Sequence, residues 1–255
     1  MPTFTYETTQ DGSPTVRIHL PKAHGDENSP TSEAMHSLKG AFSETLYIYG
    51  IAIEACLQNR FRPRVLSMGL GLGYVEILAA ASFLKFAVLD SAGGESFEIV
   101  PELRDWFRAW VFGVNGEVPK EFLAMYDEIL KRTSEHFELS SETVRHGLKT
   151  MLENGRWTIN GALSNSTKFN SSFGCICFDA FSAKTSPDLW SEEFLKNFLL
   201  SAADPGSVLS TYACTGALKR ALKSGGFELN IREGFASKRD STFAVRRADA
   251  GTLML

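Results

Sequence analysis

The sequence predicts an α/β protein with a mostly parallel sheet, and three observations support this fold class. A glycine-rich turn at residues 69–73 joins a predicted strand to a helical pattern. Strand and helix patterns then alternate along the chain, which is typical of parallel strands joined by crossover helices. An acidic residue, Glu98 or Asp179, ends or follows two of these strands. Ligands bind such sheets outside the carboxyl ends of the strands, so these acids lie at the expected ligand edge.

Composition limits the classes of protein. A chain of 255 residues can form one large α/β domain with a small appendage. The net charge of −4 does not indicate a nucleic-acid-binding surface over the whole protein, so any RNA contact must come from a local basic patch. No apolar run approaches the ~20 residues that span a bilayer, and the N-terminal residues lack a signal-peptide pattern, so we expect a cytoplasmic protein. The four cysteines form no Cys-x-x-Cys pair, which indicates buried thiols and no metal site.

The chain before the glycine turn is predicted to form a small extension and one helix. Residues 3–20 alternate around Asp11-Gly12-Ser13-Pro14, which predicts a β-hairpin. Residues 22–32 are polar and indicate a loop or linker, and residues 41–58 have helical periodicity. We therefore divide the chain into an N-terminal extension and linker at residues 1–31 and a main domain at residues 32–255.

The glycine turn is the centre of the predicted site. Gly69, Gly71 and Gly73 let the backbone bend and let a ligand approach it closely. The free N–H groups of the next helix would face that ligand. The spacing Gly-x-Gly-x-Gly differs from the dinucleotide fingerprint, so it favours S-adenosylmethionine over a pyrophosphate ligand. A turn that serves only packing is the alternative.

The second strand, near residues 95–100, carries the next candidate. A carboxylate at the end of this strand can accept hydrogen bonds from both ribose hydroxyls, which makes Glu98 the candidate. Asp90 is a weaker rival, because a loop follows it, and both acids could be plain surface charges. Residues 102–153 are helical and rich in aromatic residues, which predicts an insertion that acts as a lid or subdomain, with its aromatics in the core.

The rest of the chain completes the sheet. Residues 156–162 and 175–178 predict the third and fourth strands, and Asp179 follows the fourth. Ser191 is predicted to cap the next helix. A further strand, a helix and two closing strands at residues 227–232 and 241–246 end the pattern. Together these features predict a Rossmann-like, S-adenosylmethionine-dependent methyltransferase fold with an antiparallel C-terminal hairpin.

Several sequence blocks occur in the order of a known family. They are Met35-His36-Ser37 with Gly40-Ala41 and Glu44-Thr45, Gly69 to Tyr74, Ser96-Phe97-Glu98 with Pro101, Asp179-Ala180-Phe181-Ser182 with Pro187, Leu189 and Trp190, and Gly234-Phe235 with Lys238-Arg239. Over about residues 30–246 the chain resembles the tRNA 5-methylaminomethyl-2-thiouridine methyltransferase family, in the form that lacks the fused FAD-dependent oxidase domain.

The resemblance implies methyl transfer from S-adenosylmethionine to the primary amine of an aminomethyl group on a tRNA wobble uridine. Asp179 would be catalytic, because a carboxylate can accept the amine proton or orient its lone pair. Capping of the nearby turn is the alternative role for Asp179. The implied cofactor-binding residues are Met68, Gly69, Gly71, Gly73, Tyr74, Glu98, Asn160, Gly161, Ala162 and Asp179. The implied substrate-binding residues are Glu44, Phe181, Lys238 and Arg239.

Two positions depart from the family pattern. Ser67 stands two residues before the first glycine, and Gly161 stands after the third strand, where the family usually has acids. Residues 216–247 carry a local excess of positive charge, which is consistent either with a tRNA-contacting patch or with a solvated basic face.

Two other functions stay open at this point. One is methyl or aminopropyl transfer to another small amine. The other is a degenerate member of the fold that acts only as a binding protein, for which Ser67 and Gly161 are the support. The sequence does not predict an oligomeric state.

Overall fold

The computed structural model describes residues 2–19, 32–114, 116–181, 183, 185–237 and 240–248. Most of the predicted linker and two predicted substrate-binding residues, Lys238 and Arg239, lie outside the described residues.

A seven-stranded sheet forms the centre of the molecule. Its strands in chain order are β4 (Arg64–Met68), β5 (Gly93–Phe97), β6 (Trp157–Asn160), β7 (Phe173–Phe178), β8 (Ala203–Thr211), β9 (Glu228–Arg232) and β10 (Ser241–Arg246). Their spatial order is β6-β5-β4-β7-β8-β10-β9. Strands β4 to β8 pair in parallel, and β10 pairs antiparallel with β8 and with β9. The predicted fold class, with its antiparallel C-terminal hairpin, is confirmed.

Helices cover both faces of this sheet. They are α1 (Ala41–Thr45), α2 (Ile51–Gln58), α3 (Tyr74–Lys85), α4 (Pro101–Phe112), α5 (Lys120–Phe137), α6 (Ser141–Glu153), α7 (Glu192–Ala202) and α8 (Gly216–Ser224). A π-helical turn, Leu46–Gly50, joins α1 to α2. Ser191 caps α7, as predicted, by accepting a hydrogen bond from the Phe194 N–H.

Alternation along the strands separates two apolar layers. In β4, Val65 packs with α1–α6, whereas Leu66 and Met68 pack with α7 and α8. In β7, Cys175 and Cys177 are on the same face of the sheet as Val65 and are buried free thiols, as predicted. Both faces of the parallel strands are therefore buried, which explains their nearly continuous apolar sequences.

The helices at residues 102–153 belong to the first layer. Trp110, Tyr126 and Phe107 are buried there, and the Trp110 and Tyr126 rings lie 5.2 Å apart. The prediction that these aromatics are core residues is confirmed. Helices α5 and α6 pack on α3, which favours the subdomain alternative over the lid.

The N-terminal extension is a three-stranded sheet. The predicted hairpin consists of β1 (Thr3–Thr8) and β2 (Pro14–His19), and an unpredicted strand β3 (Ser32–Ala34) pairs with β2. Asp11, in the hairpin turn, fixes this sheet to the main domain. Its carboxylate accepts hydrogen bonds from the N–H and hydroxyl of Ser43 at 3.0 and 2.7 Å. It also accepts hydrogen bonds from Thr9 and Ser13.

We expect Asp11→Ala to lower the free energy of unfolding by about 1–2 kcal/mol at pH 7. Burial alone would raise the pKa of Asp11, but the hydrogen bonds from Ser13, Ser43 and Thr9 outweigh it and hold the pKa well below its usual value. The contribution of Asp11 is therefore complete above the unfolded pKa of about 3.9 and shrinks as the pH falls below it. Urea unfolding at pH 7 and pH 3 measures the difference. Asp90→Ala, at an exposed turn, is the control.

Candidate active site

A cavity of about 510 Å³ opens at the carboxyl edge of the parallel strands. The ends of β4, β5, β7 and β8 form one side of it, and β3, α1 and the π-helical turn form the other. Its volume is within the usual range for a small-molecule site.

The three glycines of the turn have different surroundings. All three have positive φ angles, +101° at Gly69, +50° at Gly71 and +72° at Gly73. A Cβ atom on Gly69 would lie 2.6 Å from the carbonyl oxygen of Asp179, so glycine lets these two segments meet. Gly71 faces the cavity, and a Cβ there would approach only Met35, at 3.4 Å. Gly73 is absent from the lining, and the Phe107 ring occupies the space of its missing side chain.

Glu98 connects the glycine turn to the end of strand β5. It follows β5, is 5% exposed and lines the cavity. Its Oε2 accepts a hydrogen bond from the Gly71 N–H at 3.0 Å, and its Oε1 accepts one from the Val100 N–H at 2.9 Å. Burial raises the pKa of Glu98, although these hydrogen bonds oppose the shift. The rival Asp90 is exposed and precedes β5, so it lies at the opposite edge of the sheet.

Asp179 lies at the centre of the site. It follows β7, lines the cavity, and donates its N–H to the Met68 carbonyl at 3.0 Å. Two tyrosines lie beside its carboxylate. Burial raises the pKa of Tyr49 well above its usual value, and the Asp179 charge adds to the shift. Burial also raises the pKa of Tyr212, with smaller effects from Asp179 and two glutamates.

Those two glutamates, Glu33 and Glu44, come from the N-terminal side of the cavity. Glu44 is buried, and its Oε2 accepts a hydrogen bond from the Ser37 N–H at 2.6 Å. Glu33, in β3, accepts a hydrogen bond from the Thr185 hydroxyl at 2.5 Å. This bond joins the N-terminal sheet to the loop that follows β7.

The charged lining of the cavity is mostly acidic. Its carboxylates belong to Glu33, Glu44, Glu98 and Asp179. No lysine or arginine is among the lining residues that the structure describes, and His36 contributes an imidazole to the lining. Such a lining favours a positively charged ligand or an amine over a phosphate or a carboxylate.

Most of the residues implied by the resemblance meet at this cavity. Nine of them line it: Met68, Gly69, Gly71, Tyr74, Glu98, Ala162, Asp179, Glu44 and Phe181. Gly73, Asn160 and Gly161 do not. Asn160 accepts the Glu98 N–H with its backbone oxygen at 3.1 Å, and Gly161 is exposed near the Arg104 side chain.

The sequence analysis did not assign Glu33, Tyr49 or Tyr212 to the site, although all three line the cavity. Tyr212 follows β8 as Asp179 follows β7, so the same positional rule could have identified it. Tyr49 lies in the π-helical turn, a feature that is frequent at functional sites but has no sequence signal here. Glu33 belongs to the unpredicted β3.

The predicted basic patch is only partly a surface feature. Arg232 is half-buried between the rings of Tyr47 and Phe243, and it donates to the Ser210 hydroxyl. It therefore packs the end of the sheet and is not a free phosphate contact. Arg220 pairs with Glu192 at 2.6 Å.

Two further observations apply to the described residues alone. They contain no group of three or more histidine, cysteine, aspartate or glutamate side chains that could hold a metal ion. They also contain no helix that is long and apolar enough to cross a membrane.

Comparisons with known proteins give a consistent result. Residues 118–247 match a family described as S-adenosyl-L-methionine-dependent methyltransferase. An uncharacterized protein of Methanocaldococcus jannaschii is 26% identical over 245 residues, which are 93% of this chain and 58% of that protein. The tRNA 5-methylaminomethyl-2-thiouridine biosynthesis bifunctional protein MnmC of Hahella chejuensis is 37% identical over 71 residues, which are 28% of this chain and 11% of that protein. The MnmC protein of Ralstonia nicotianae is 32% identical over 101 residues, which are 38% of this chain and 15% of that protein.

This chain thus spans at most 58% of the length of these curated relatives. Among solved structures, the crystal structure of MNMC2 from Aquifex aeolicus aligns with a TM-score of 0.59 at 22% identity. The alignment covers 97% of this chain and 72% of that chain. At this identity the likeness shows the fold alone. The family match and the MnmC matches together confirm the predicted resemblance for the methyltransferase domain.

Proposed function

This chain belongs to the S-adenosyl-L-methionine-dependent methyltransferases, and from that premise we propose that it methylates the primary amine of an aminomethyl group on a modified wobble uridine of tRNA. The acidic lining of the cavity carries the proposal. Carboxylates stabilise a cationic amine as it enters, whereas they repel phosphate and carboxylate groups. The named MnmC relatives support tRNA as the molecule that bears the amine.

The residues of the cavity fit the cofactor. The backbone at Gly71 leaves one side of the cavity open to a close ligand, since a Cβ there would approach only Met35. Glu98 would hold the ribose hydroxyls, because a carboxylate has about four acceptor positions and the backbone N–H groups of Gly71, Val100 and Ile99 do not use all of them. Ala162 and Leu189 offer an apolar surface for the adenine. When bound, S-adenosylmethionine supplies an activated methyl group, and the sulfur keeps the bonding electrons as the amine nitrogen bonds to the methyl carbon.

Asp179 would orient the amine and accept its proton. An amine must be neutral to act as a nucleophile, so a nearby carboxylate promotes the reaction. Tyr49 and Tyr212 flank the Asp179 carboxylate with partly apolar rings. Glu44 and Phe181 would contact the aminomethyl group and the base, respectively.

The location and the tRNA contacts belong to the same proposal. We also propose a cytoplasmic location, which is consistent with a tRNA substrate. We assign phosphate contacts to Lys238 and Arg239, which adjoin the C-terminal hairpin in sequence.

The test is methyl transfer from labelled S-adenosylmethionine to tRNA that carries the aminomethyl group. We expect digestion and mass spectrometry to find one added methyl group on the wobble nucleoside. The same tRNA with its amine acetylated is the control and should gain no label. Transfer to a small diamine but not to tRNA would contradict the tRNA substrate and favour the small-amine alternative.

A further inference from the structure

A fully buried carboxylate, that of Glu76, lies beneath the glycine turn and outside the cavity. Glu76 is the third residue of α3 and is 0% exposed. Its Oε1 accepts a hydrogen bond from the Ser96 hydroxyl at 2.7 Å, and Ser96 in turn accepts one from the Trp157 ring N–H at 2.8 Å. Its Oε2 is buried and has no hydrogen-bond partner among the described residues.

The sheet supplies a polar surface for this carboxylate. Ser67 in β4 and Ser96 in β5 are directly paired in register, and both are fully buried. Apolar residues at these two positions would stabilise the interface of the sheet with α3 at lower cost. The polar group therefore has a purpose other than stability.

No cation balances Glu76 within the described part of the chain. The side chains that act on its charge are Ser67 from β4 and Ser96 from β5, both neutral, and Glu98, a second acid that follows β5. Trp157 from β6 contacts Ser96 and not Glu76 itself. The positive charge of Arg104 lowers the pKa of Glu98, and Arg104 donates a hydrogen bond to the Glu98 backbone oxygen. Burial raises the pKa of Glu76 to about 7, although the hydrogen bond from Ser96 and the polar Ser67 hydroxyl favour the charged form.

Glu76 lies in the first turn of α3, where it can change how the N-terminus of this helix interacts with a charged ligand. The N-terminus of a helix carries a partial positive charge, and phosphate-binding turns use it to hold an anion. The ammonium and carboxylate of S-adenosylmethionine cancel, and its sulfonium gives it a net charge of +1, so the same positive end would oppose its binding. A carboxylate in the first helical turn neutralises that end.

We propose that Glu76 is a positioning residue for the cofactor, and that its buried carboxylate neutralises the α3 N-terminus and favours cationic S-adenosylmethionine over uncharged-sulfur S-adenosylhomocysteine. The inference rests on the cofactor of the proposed function and not on the tRNA substrate. Glu76 would also supply the negative charge that is missing at Ser67, where the family usually has an acid. A cationic ligand favours ionised Glu76, so binding releases a proton near pH 7 and the affinity rises with pH through that region.

The test is calorimetric titration at pH 7 with both ligands, in two buffers that differ in ionisation enthalpy. We expect the wild type to release a larger fraction of a proton with S-adenosylmethionine than with S-adenosylhomocysteine. Glu76→Gln should remove that difference. It should also weaken S-adenosylmethionine binding about tenfold, while S-adenosylhomocysteine binding changes less than about threefold. Glu135→Gln, at an exposed position of α5, is the control and should leave both affinities unchanged.

Equal losses for the two ligands in Glu76→Gln would overturn the proposal, because a purely structural role predicts them. If this variant does not fold, the pH dependence of the two Kd values of the wild type tests the proposal. A ratio of the two Kd values that stays constant from pH 6 to pH 8 would overturn the role of Glu76 while leaving the cofactor site in place. Failure of the wild type to bind either ligand would instead overturn the cofactor site itself.

Discussion

Asp179→Asn is expected to lower the kcat of methyl transfer by about 10²–10³-fold. The substitution keeps the size of the side chain and the N–H bond to Met68, but it removes the negative charge that would accept the amine proton. Single-turnover transfer of labelled methyl groups to aminomethyl-bearing tRNA measures the chemical step. Calorimetry with S-adenosylhomocysteine reports separately whether the cofactor still binds.

Asp188→Asn is the matched control for Asp179. Asp188 is an exposed acid nine residues further along the same connection, and it is not part of the cavity lining. Its substitution should leave kcat within about twofold, since surface changes away from a site have small effects. An Asp179→Asn enzyme with nearly unchanged kcat would show that Asp179 only caps the turn.

Gly71→Arg is expected to abolish cofactor binding, with a loss in affinity of more than about 100-fold. Gly71 faces the cavity, so a long side chain there would occupy the space that we assign to the cofactor. The φ angle of +50° adds strain of about 1–2 kcal/mol for any side chain. Calorimetry with S-adenosylmethionine measures the affinity, and circular dichroism checks that the variant is folded.

Gly71→Ala separates the two effects. It has the same backbone strain, but its Cβ would meet only the Met35 sulfur, at 3.4 Å. We therefore expect Gly71→Ala to lose a few-fold in affinity and Gly71→Arg to lose nearly all of it. Similar affinities in the two variants would contradict the assignment of the cavity to the cofactor.

The parts of the fold that could be predicted from sequence depend on local patterns. Strand β7 is a short apolar run, and the carboxyl edge of a parallel sheet follows directly from its end, so Asp179 could be located. The glycine turn and Glu98 follow from the same reasoning. The helices at residues 102–153 have a clear periodicity, but periodicity does not reveal which element they pack against.

The parts that could not be predicted depend on contacts between distant segments. Strand β3 has three residues and forms only because β2 offers an edge, so neither it nor Glu33 had a local signal. Glu76 lies in an apolar helical pattern, and its importance appears only when Ser67 and Ser96 meet it. Gly73 was assigned to the cofactor, but its missing side chain makes room for Phe107, which comes from α4.

A crystal structure with S-adenosylhomocysteine tests the central claim most directly. We expect the ligand to lie across the turn at Gly69 and Gly71, with its ribose hydroxyls within hydrogen-bond distance of Glu98. Its sulfur should face the part of the cavity between Asp179 and Glu44. A ligand bound elsewhere, or one whose ribose does not reach Glu98, would contradict the assignment of this acidic cavity as the active site.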